Sequence, residues 1–151
     1  MALNIMRKNL PHIRVRNQYG AAPYRHGVDG DVEILLVTSR DTGRWIIPKG
    51  WPIKKLGPLR TAMREAYEEA GVRGDGGPAV GAFDYLKLMS KGPNHICEVE
   101  VFPLLVREEL ENWPEKAERE RRWFTPADAS GAVTEDRLKE ILLDLSNRVR
   151  P

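Results

Sequence analysis

The chain has 151 residues, of which 41% are hydrophobic and 30% charged, and its formal net charge is +2. This balance is typical of one globular domain with its own core, and it favours neither a disordered chain nor a DNA-binding protein. No apolar run approaches the ~20 residues of a membrane span, and the N-terminus lacks a signal-peptide pattern. These two observations predict a cytoplasmic location without membrane partners. The single cysteine, Cys97, predicts a packed thiol and agrees with a reducing compartment.

The N-terminal elements are predicted to be an extension followed by strands. Residues 1–17 mix basic and apolar residues around a proline, so we interpret them as an extension and residues 18–151 as one domain. Residues 18–25 predict a strand, and Pro23 favours placing it at a sheet edge or a bulge. The patterns that follow are a hairpin turn at 27–31, a strand buried on both faces at 32–38 and a short buried strand at 45–48.

The stretch 50–72 reads GWPIKKLGPLRTAMREAYEEAGV. Its apolar residues recur at the spacing of a helix with one buried stripe, and Pro58 and Gly71 suit the start and end of that helix. At about 100° per residue, Glu65, Glu68 and Glu69 share one side within an arc of about 100°. For such a helix taken alone, an ordinary solvated acidic face is the alternative interpretation.

The C-terminal half is predicted to contain two strands and a second amphipathic helix. The segments in order are a turn at 73–78, strands at 80–89 and 95–106, an exposed loop with a helical piece at 108–122, core aromatic residues at 123–124 and a helix that Thr134 caps. Two amphipathic helices cannot both bury their stripes on one face of a small sheet. The pattern therefore predicts an α/β fold in which the sheet lies between the helices.

Eight of nine specified positions in the central stretch match a longer pattern, G-x5-E-x7-R-E-U-x-E-E-x-G-U, in which U is a bulky apolar residue. The matching residues are Gly50, Arg64, Glu65, Ala66, Glu68, Glu69, Gly71 and Val72, and Leu56 occupies the position of the first Glu. The stretch thus resembles the Nudix box. Residues 44–50 and 111–129 look like the diphosphoinositol polyphosphate phosphohydrolase branch of that superfamily. The resemblance implies a Nudix α/β/α sandwich with a mixed sheet.

The resemblance also implies a metal-dependent pyrophosphatase in which water attacks phosphorus. The expected substrate contains a phosphoanhydride bond. It is a nucleoside-diphosphate-linked compound, a dinucleoside polyphosphate or a diphosphoinositol polyphosphate. Glu65 and Glu69 are implied as ligands of Mg²⁺ or Mn²⁺, with the Lys49 carbonyl as a further ligand. Glu68 is implied as the proton acceptor, sharing ligation, and Arg64 as the brace of the carboxylates. Hard carboxylate oxygens suit these metals, and the absence of a Cys or His cluster argues against zinc.

Residues around the box are candidates for contacts with substrate phosphates, with solvated surface charge as the equal alternative for the basic ones. They are Arg40, Arg44, Gly50, Lys54 and Lys55. Trp51 either flanks the substrate or packs in the core. Because Leu56 replaces a box Glu, a degenerate Nudix module that binds nucleotide or RNA without hydrolysis is the second hypothesis, and an RNA 5′ end stays open as a partner.

Overall fold

The computed structural model describes residues 13–149, in which a mixed eight-stranded sheet carries helices on both faces. The first half contains β1 Arg14–His26, β2 Val32–Thr38, β3 Trp45–Ile46, β4 Lys49–Gly50 and helix α1 Gly57–Glu65, which a π-helical turn, Ala66–Ala70, extends. The second half contains β5 Val72–Gly76, β6 Gly81–Lys87, β7 His95–Glu109, β8 Arg121–Phe124, α2 Pro126–Ala132 and α3 Asp136–Arg148. Within these ranges no helix is long and apolar enough to cross a membrane.

The sheet is built around β1. The main strand order is β3-β2-β1-β7-β5, while β4, β6 and β8 pair with β1, β7 and β2 respectively. β1 and β7 run parallel from the pair Arg14–His95 to the pair Tyr24–Leu105, and the other strand pairs in the described part of the chain are antiparallel. β1 begins at Arg14, four residues before the predicted start, so residues 14–17 belong to the sheet. Residues 1–12 of the predicted extension lie outside the described residues.

Pro23 lies in this central strand, so the prediction of an edge strand is wrong. The N–H of Ala21 donates to the carbonyl of Pro48, and along a strand the nitrogen two residues further faces the same side. There the partner of β1 changes from β4, opposite Gly20, to β2, opposite Tyr24. The missing N–H of proline therefore falls in a gap between two partners, where no ladder hydrogen bond is lost.

Apolar side chains form a separate cluster on each face of the sheet. On one face, the alanine row of α1 and its π turn packs against Leu35 and Val37 of β2. On the other face, α3 buries the predicted stripe, which consists of Leu138, Ile141, Leu142, Leu145 and Val149. Cys97 is fully buried, as predicted. The two helices thus cover opposite faces, which confirms the predicted layer order.

Several local predictions need correction. Residues 72–76 form the strand β5 with a bulge between Arg73 and Gly74, not a turn, because β7 continues to Glu109 and offers a pairing edge. No helix lies within residues 110–120, and α2 was not predicted. Glu135 rather than Thr134 is the N-cap residue of α3. The box helix ends in a π turn, so its last residues do not follow a constant 100° per residue.

Candidate functional site

The end of the box helix is held by a left-handed glycine. Gly71 has φ 67°, and its N–H donates to the carbonyl of Ala66, which closes the π turn, and to the carbonyl of Tyr67 at 3.0 Å. An added Cβ there would lie 2.5 Å from Cδ2 of Trp113. The indole of Trp113 in turn donates to the carbonyl of Glu69 at 3.2 Å. Glycine is therefore required for both backbone conformation and packing, and the position of Glu69 along the helix axis is fixed.

The start of the box loop lies directly against the helix. A Cβ added to Gly50 would lie 2.4 Å from Cδ of Glu65 and 2.6 Å from each of its carboxylate oxygens. Gly50 belongs to β4, which pairs with β1 through Tyr19 and Gly20. The sheet thereby delivers a backbone segment to the carboxylate of Glu65 at a distance that only glycine permits.

Glu65 and Glu69 line one cavity of about 470 Å³. The cavity also contains cations, because Lys49 from β4 and Arg119 from the segment before β8 line it. Its further lining residues include Gln18, Arg40, Trp51, Tyr85, Lys87 and Glu115. Both signs of charge therefore meet in one concave site, the arrangement suited to a cation together with a polyanion.

Arg119 faces the carboxylates from a buried position, with 7% of its side chain exposed. It donates to Oε1 of Glu115 at 2.8 Å and to the carbonyl of Thr38 at 3.0 Å. Its Nη2 lies 3.8 Å from Oε1 of Glu69, which is beyond hydrogen-bond distance. That oxygen is buried and has no hydrogen-bond partner among the described residues. A buried acceptor without a partner marks a position where a further positive or donor group fits.

The pKa values follow from this burial. Burial raises the pKa of Glu69 from 4.5 to about 8, and the Glu65 carboxylate raises it further while Arg119 and Lys49 lower it. The pKa of Glu65 is also raised, mainly by burial. Burial lowers the pKa of Lys49, and the carboxylate of Glu69 opposes that change. Burial therefore favours the neutral form of both carboxyl groups in the metal-free protein.

The donor atoms fit a small divalent cation in part. Within residues 13–149 no three Asp, Glu, His or Cys side chains are grouped as a ready ligand set. Glu65 and Glu69 nevertheless share the cavity, and the unpartnered oxygen of Glu69 is available. Mg²⁺ is commonly held by one or two carboxylates, with waters and substrate phosphates completing its octahedron. The two carboxylates that line the cavity, Glu65 and Glu69, therefore satisfy the protein's share of such a site.

The remaining predicted metal-site residues lie outside the cavity lining. Glu68 is half-buried, and its carbonyl accepts from the N–H of Glu115 at 3.0 Å. Arg64 is exposed and lines a different cavity with Leu56. Among the described residues it makes no ion pair with Glu65, Glu68 or Glu69, so the structure does not bring Arg64 to the carboxylates. Arg119 occupies the bracing position instead.

The predicted phosphate contacts separate into three groups. Arg40 lines the cavity and is 3.8 Å from Glu118 in an exposed ion pair. Arg44 lies outside the cavity lining, where it donates to Oγ1 of Thr134 at 2.8 Å and pairs with Glu135 at 3.7 Å. The two lysines at 54–55 are exposed and are not lining residues of this cavity.

Two contributors were missed by sequence reasoning. Arg119 and Glu115 lie within residues 108–122, which were predicted to be an exposed loop. The available hint was their place in the segment that resembles the phosphohydrolase branch. Trp51 lines the cavity and is 37% exposed, so its core alternative is wrong. The Arg16 guanidinium lies 4.9 Å from the centre of its ring.

The NUDIX domain profile matches residues 24–145, which is most of the chain. Nudix hydrolase 21, chloroplastic, from Arabidopsis thaliana is 35% identical over 138 residues, which cover 88% of this chain and 67% of that protein. Diphosphoinositol polyphosphate phosphohydrolase 3-alpha from Homo sapiens is 40% identical over 100 residues, 64% of this chain and 57% of that protein. The chain therefore belongs to the Nudix family, and it is a hydrolase. The predicted resemblance is confirmed.

Solved structures support the same fold. The Ap4A hydrolase of C. elegans, in a binary complex, superposes with a TM-score of 0.65 at 20% identity over 88% of this chain and 96% of that chain. The NUDIX domain of Shewanella oneidensis NrtR, complexed with ADP ribose, superposes with a TM-score of 0.63 at 14% identity, and the match covers 99% of this chain and 100% of that chain. At these identities the likeness concerns the fold alone, and it confirms the predicted α/β Nudix architecture.

Proposed function

We propose that this chain is a Mg²⁺- or Mn²⁺-dependent pyrophosphatase that hydrolyses a phosphoanhydride bond. The observation that carries the proposal is the cavity in which Glu65 and Glu69 face Lys49 and Arg119. Its carboxylates suit a divalent cation, and its cations suit substrate phosphates. The substrate is a dinucleoside polyphosphate, a diphosphoinositol polyphosphate or a nucleoside-diphosphate-linked compound. The name of one similar protein, a diphosphoinositol polyphosphate phosphohydrolase, supports the second of these classes.

In this proposal Glu65 and Glu69 hold the metal, with the Lys49 carbonyl as a further ligand. A bound divalent ion supplies Lewis-acid polarisation of the phosphoryl group and lowers the pKa of the attacking water. The Lys49 ammonium lies 4.7 Å from the centre of the Tyr85 ring, which orients it within the cavity lining. Arg119, anchored by Glu115, holds phosphate oxygens without a large reorganisation when substrate binds.

The proton acceptor in this proposal is a carboxylate at the junction of helix and loop. Glu68 keeps its predicted role, and Glu115, which lines the cavity, is the second candidate. The backbone hydrogen bond from Glu115 to Glu68 ties the two segments together at 3.0 Å. Glu68→Gln and Glu115→Gln distinguish the candidates, because loss of the acceptor lowers turnover more than metal affinity.

The proposal includes one domain over residues 18–151 and a cytoplasmic location. The NUDIX match over 24–145 lies inside that domain. The burial of the single thiol, Cys97, agrees with a compartment in which thiols stay reduced.

A substrate panel tests the proposal. We expect turnover of diadenosine tetraphosphate, ADP-ribose, a diphosphoinositol polyphosphate or capped RNA in the presence of Mg²⁺ or Mn²⁺, measured by chromatographic separation of the two cleavage products. Glu65→Gln and Glu69→Gln should each reduce that turnover by about 10² or more. The matched control is Glu111→Gln, which changes an exposed carboxylate outside the cavity. Absence of turnover above a chelated control on every substrate would contradict the proposal, and tight nucleotide or RNA binding by that preparation would favour the degenerate binding module.

A further inference from the structure

A second cavity, of about 520 Å³, lies between α1 with its π turn and the strands β5 and β7. It shares no lining residue with the cavity that contains Glu65 and Glu69. Three arginines and an apolar surface meet in it. The arginines are Arg60, Arg64 and Arg73, and the apolar surface is formed by Leu56, Met63 and Leu104.

β5 contributes the side chain of Arg73 and the backbone of Gly74 to the lining of this cavity. β5 is the last strand in the sheet order, and its sequence VRGDG contains two glycines. Gly74, beside the bulge that follows Arg73, lines the cavity without filling it. Space therefore remains between the helix and the sheet at its end.

The positive charge in this cavity is largely uncompensated. Arg60 and Arg64 are exposed, lie four residues apart on one helix face, and make no ion pair with any carboxylate of the described residues. Like charges at this spacing destabilise a helix. Arg73 lies 3.5 Å from Glu108, but both side chains are more than half exposed, so this pair is weak and exchangeable. An anion bound between the guanidinium groups would relieve the repulsion.

The apolar surface restricts what kind of anion fits. Leu56 and Met63 are half-buried and Leu104 is 1% exposed, so the cavity has an apolar floor, formed mainly by Leu56 and Met63, beneath a cationic rim. Tyr67 lines the same cavity with the Arg73 guanidinium 4.6 Å from its ring centre. A volume of this size is typical of small-molecule sites. An inositol phosphate has charge around its whole ring and gains nothing from the floor, whereas a nucleobase does.

We propose that this cavity binds a nucleoside phosphate. The phosphates lie between the arginines, whose planar guanidinium groups suit phosphate oxygens, and the base packs on the apolar floor. The site is independent of the catalytic proposal because it uses none of the residues of the first cavity. Because the ligand binds the folded chain and not the unfolded one, an occupied site also raises the free energy of unfolding.

The experiment measures ADP binding by calorimetry in EDTA, where no divalent metal assists the first cavity. We expect Arg60→Gln with Arg73→Gln to weaken ADP binding by about tenfold or more and to abolish the increase in Tm that ADP causes. Arg137→Gln, which changes an exposed arginine of α3, is the matched control and should bind ADP like the parent. Both altered arginines of the test variant are exposed, and its Tm without ligand reports that it is folded.

Two further arms make the result decisive. Arg40→Gln, in the first cavity, should leave ADP binding in EDTA unchanged. Inorganic pyrophosphate should bind the parent about tenfold or more weakly than ADP, because it lacks a base for the apolar floor. The proposal is overturned if the double variant binds ADP like the parent, if Arg40→Gln removes the binding instead, or if pyrophosphate binds as tightly as ADP.

Discussion

Glu69→Gln should change the pH dependence of stability in the metal-free protein. The folded protein holds the Glu69 proton up to a pH near its pKa of about 8, whereas the unfolded chain releases it near 4.5. The folded state therefore binds more protons between these values, and its free energy of unfolding falls as the pH rises from 4.5 to 8. Glutamine has no proton to release, so the variant does not incur this loss.

The magnitude follows from the difference between the two pKa values. A difference of 3.5 pH units, from 4.5 to about 8, corresponds at most to about 5 kcal/mol, at about 1.4 kcal/mol per pH unit. With 5% of the residue exposed, solvent screening reduces this little. We therefore expect Glu69→Gln to be more stable than the parent by several kcal/mol above pH 8 and nearly equal to it below pH 4.5.

Urea denaturation in EDTA between pH 4.5 and 8.5 measures this difference. Glu111→Gln, at an exposed position, should follow the parent at every pH. Adding Mg²⁺ at pH 8 should reverse the order, because the metal stabilises the parent in proportion to its occupancy and the variant lacks a ligand. The reasoning is refuted if the stability difference between Glu69→Gln and the parent does not grow from pH 4.5 to 8.

Three further variants test the geometry. Gly50→Ala places a methyl group 2.4 Å from the carboxylate carbon of Glu65, so turnover should fall about tenfold or more. The control is Gly131→Ala, where the added methyl group meets open space, and it should match the parent in turnover and Tm. Arg119→Gln removes the cation nearest Glu69, so urea denaturation at pH 8 should show a free energy of unfolding about 3 kcal/mol lower than that of the parent. An unchanged midpoint of the urea transition would contradict the buried contact between Arg119 and Glu69. Leu56→Glu should change kcat/KM by less than about tenfold, and conversion of an inert protein into an active hydrolase would indicate a degenerate relative.

The fold was predictable where periodicity and turn chemistry agree. The stripe of α3 and the alanine row of α1 repeat at helical spacing, and both rows are buried. Pro23 misled the prediction because a proline forbids one hydrogen bond at one position, and the sequence does not reveal that the partner strand changes there. The strand β5 was hidden for a related reason, since two glycines in five residues indicate a turn until a long partner such as β7 is known.

The candidate site was predictable on the helix and not beyond it. Glu65 and Glu69 are four residues apart, so both were placed on one face, and both line the cavity. Glu68 does not, because the π turn alters the angular spacing after Glu65. Arg119 could not be found from pattern, since Arg121 and Arg122 lie beside it in a charged run. Its burial depends on the carbonyl of a strand 81 residues earlier, which is long-range information.

The parallel pairing of β1 with β7 constrains the order in which this chain can fold. Arg14 pairs with His95, so the two middle strands of the sheet lie 81 residues apart in the sequence. At a synthesis rate of about 5–20 residues per second, β1 waits about 4 to 16 seconds on the ribosome before its neighbour has been made. Contacts of such separation also slow refolding, because the intervening chain must be ordered before they form. Until then β1 presents an open edge, so early association between nascent chains should begin at this strand.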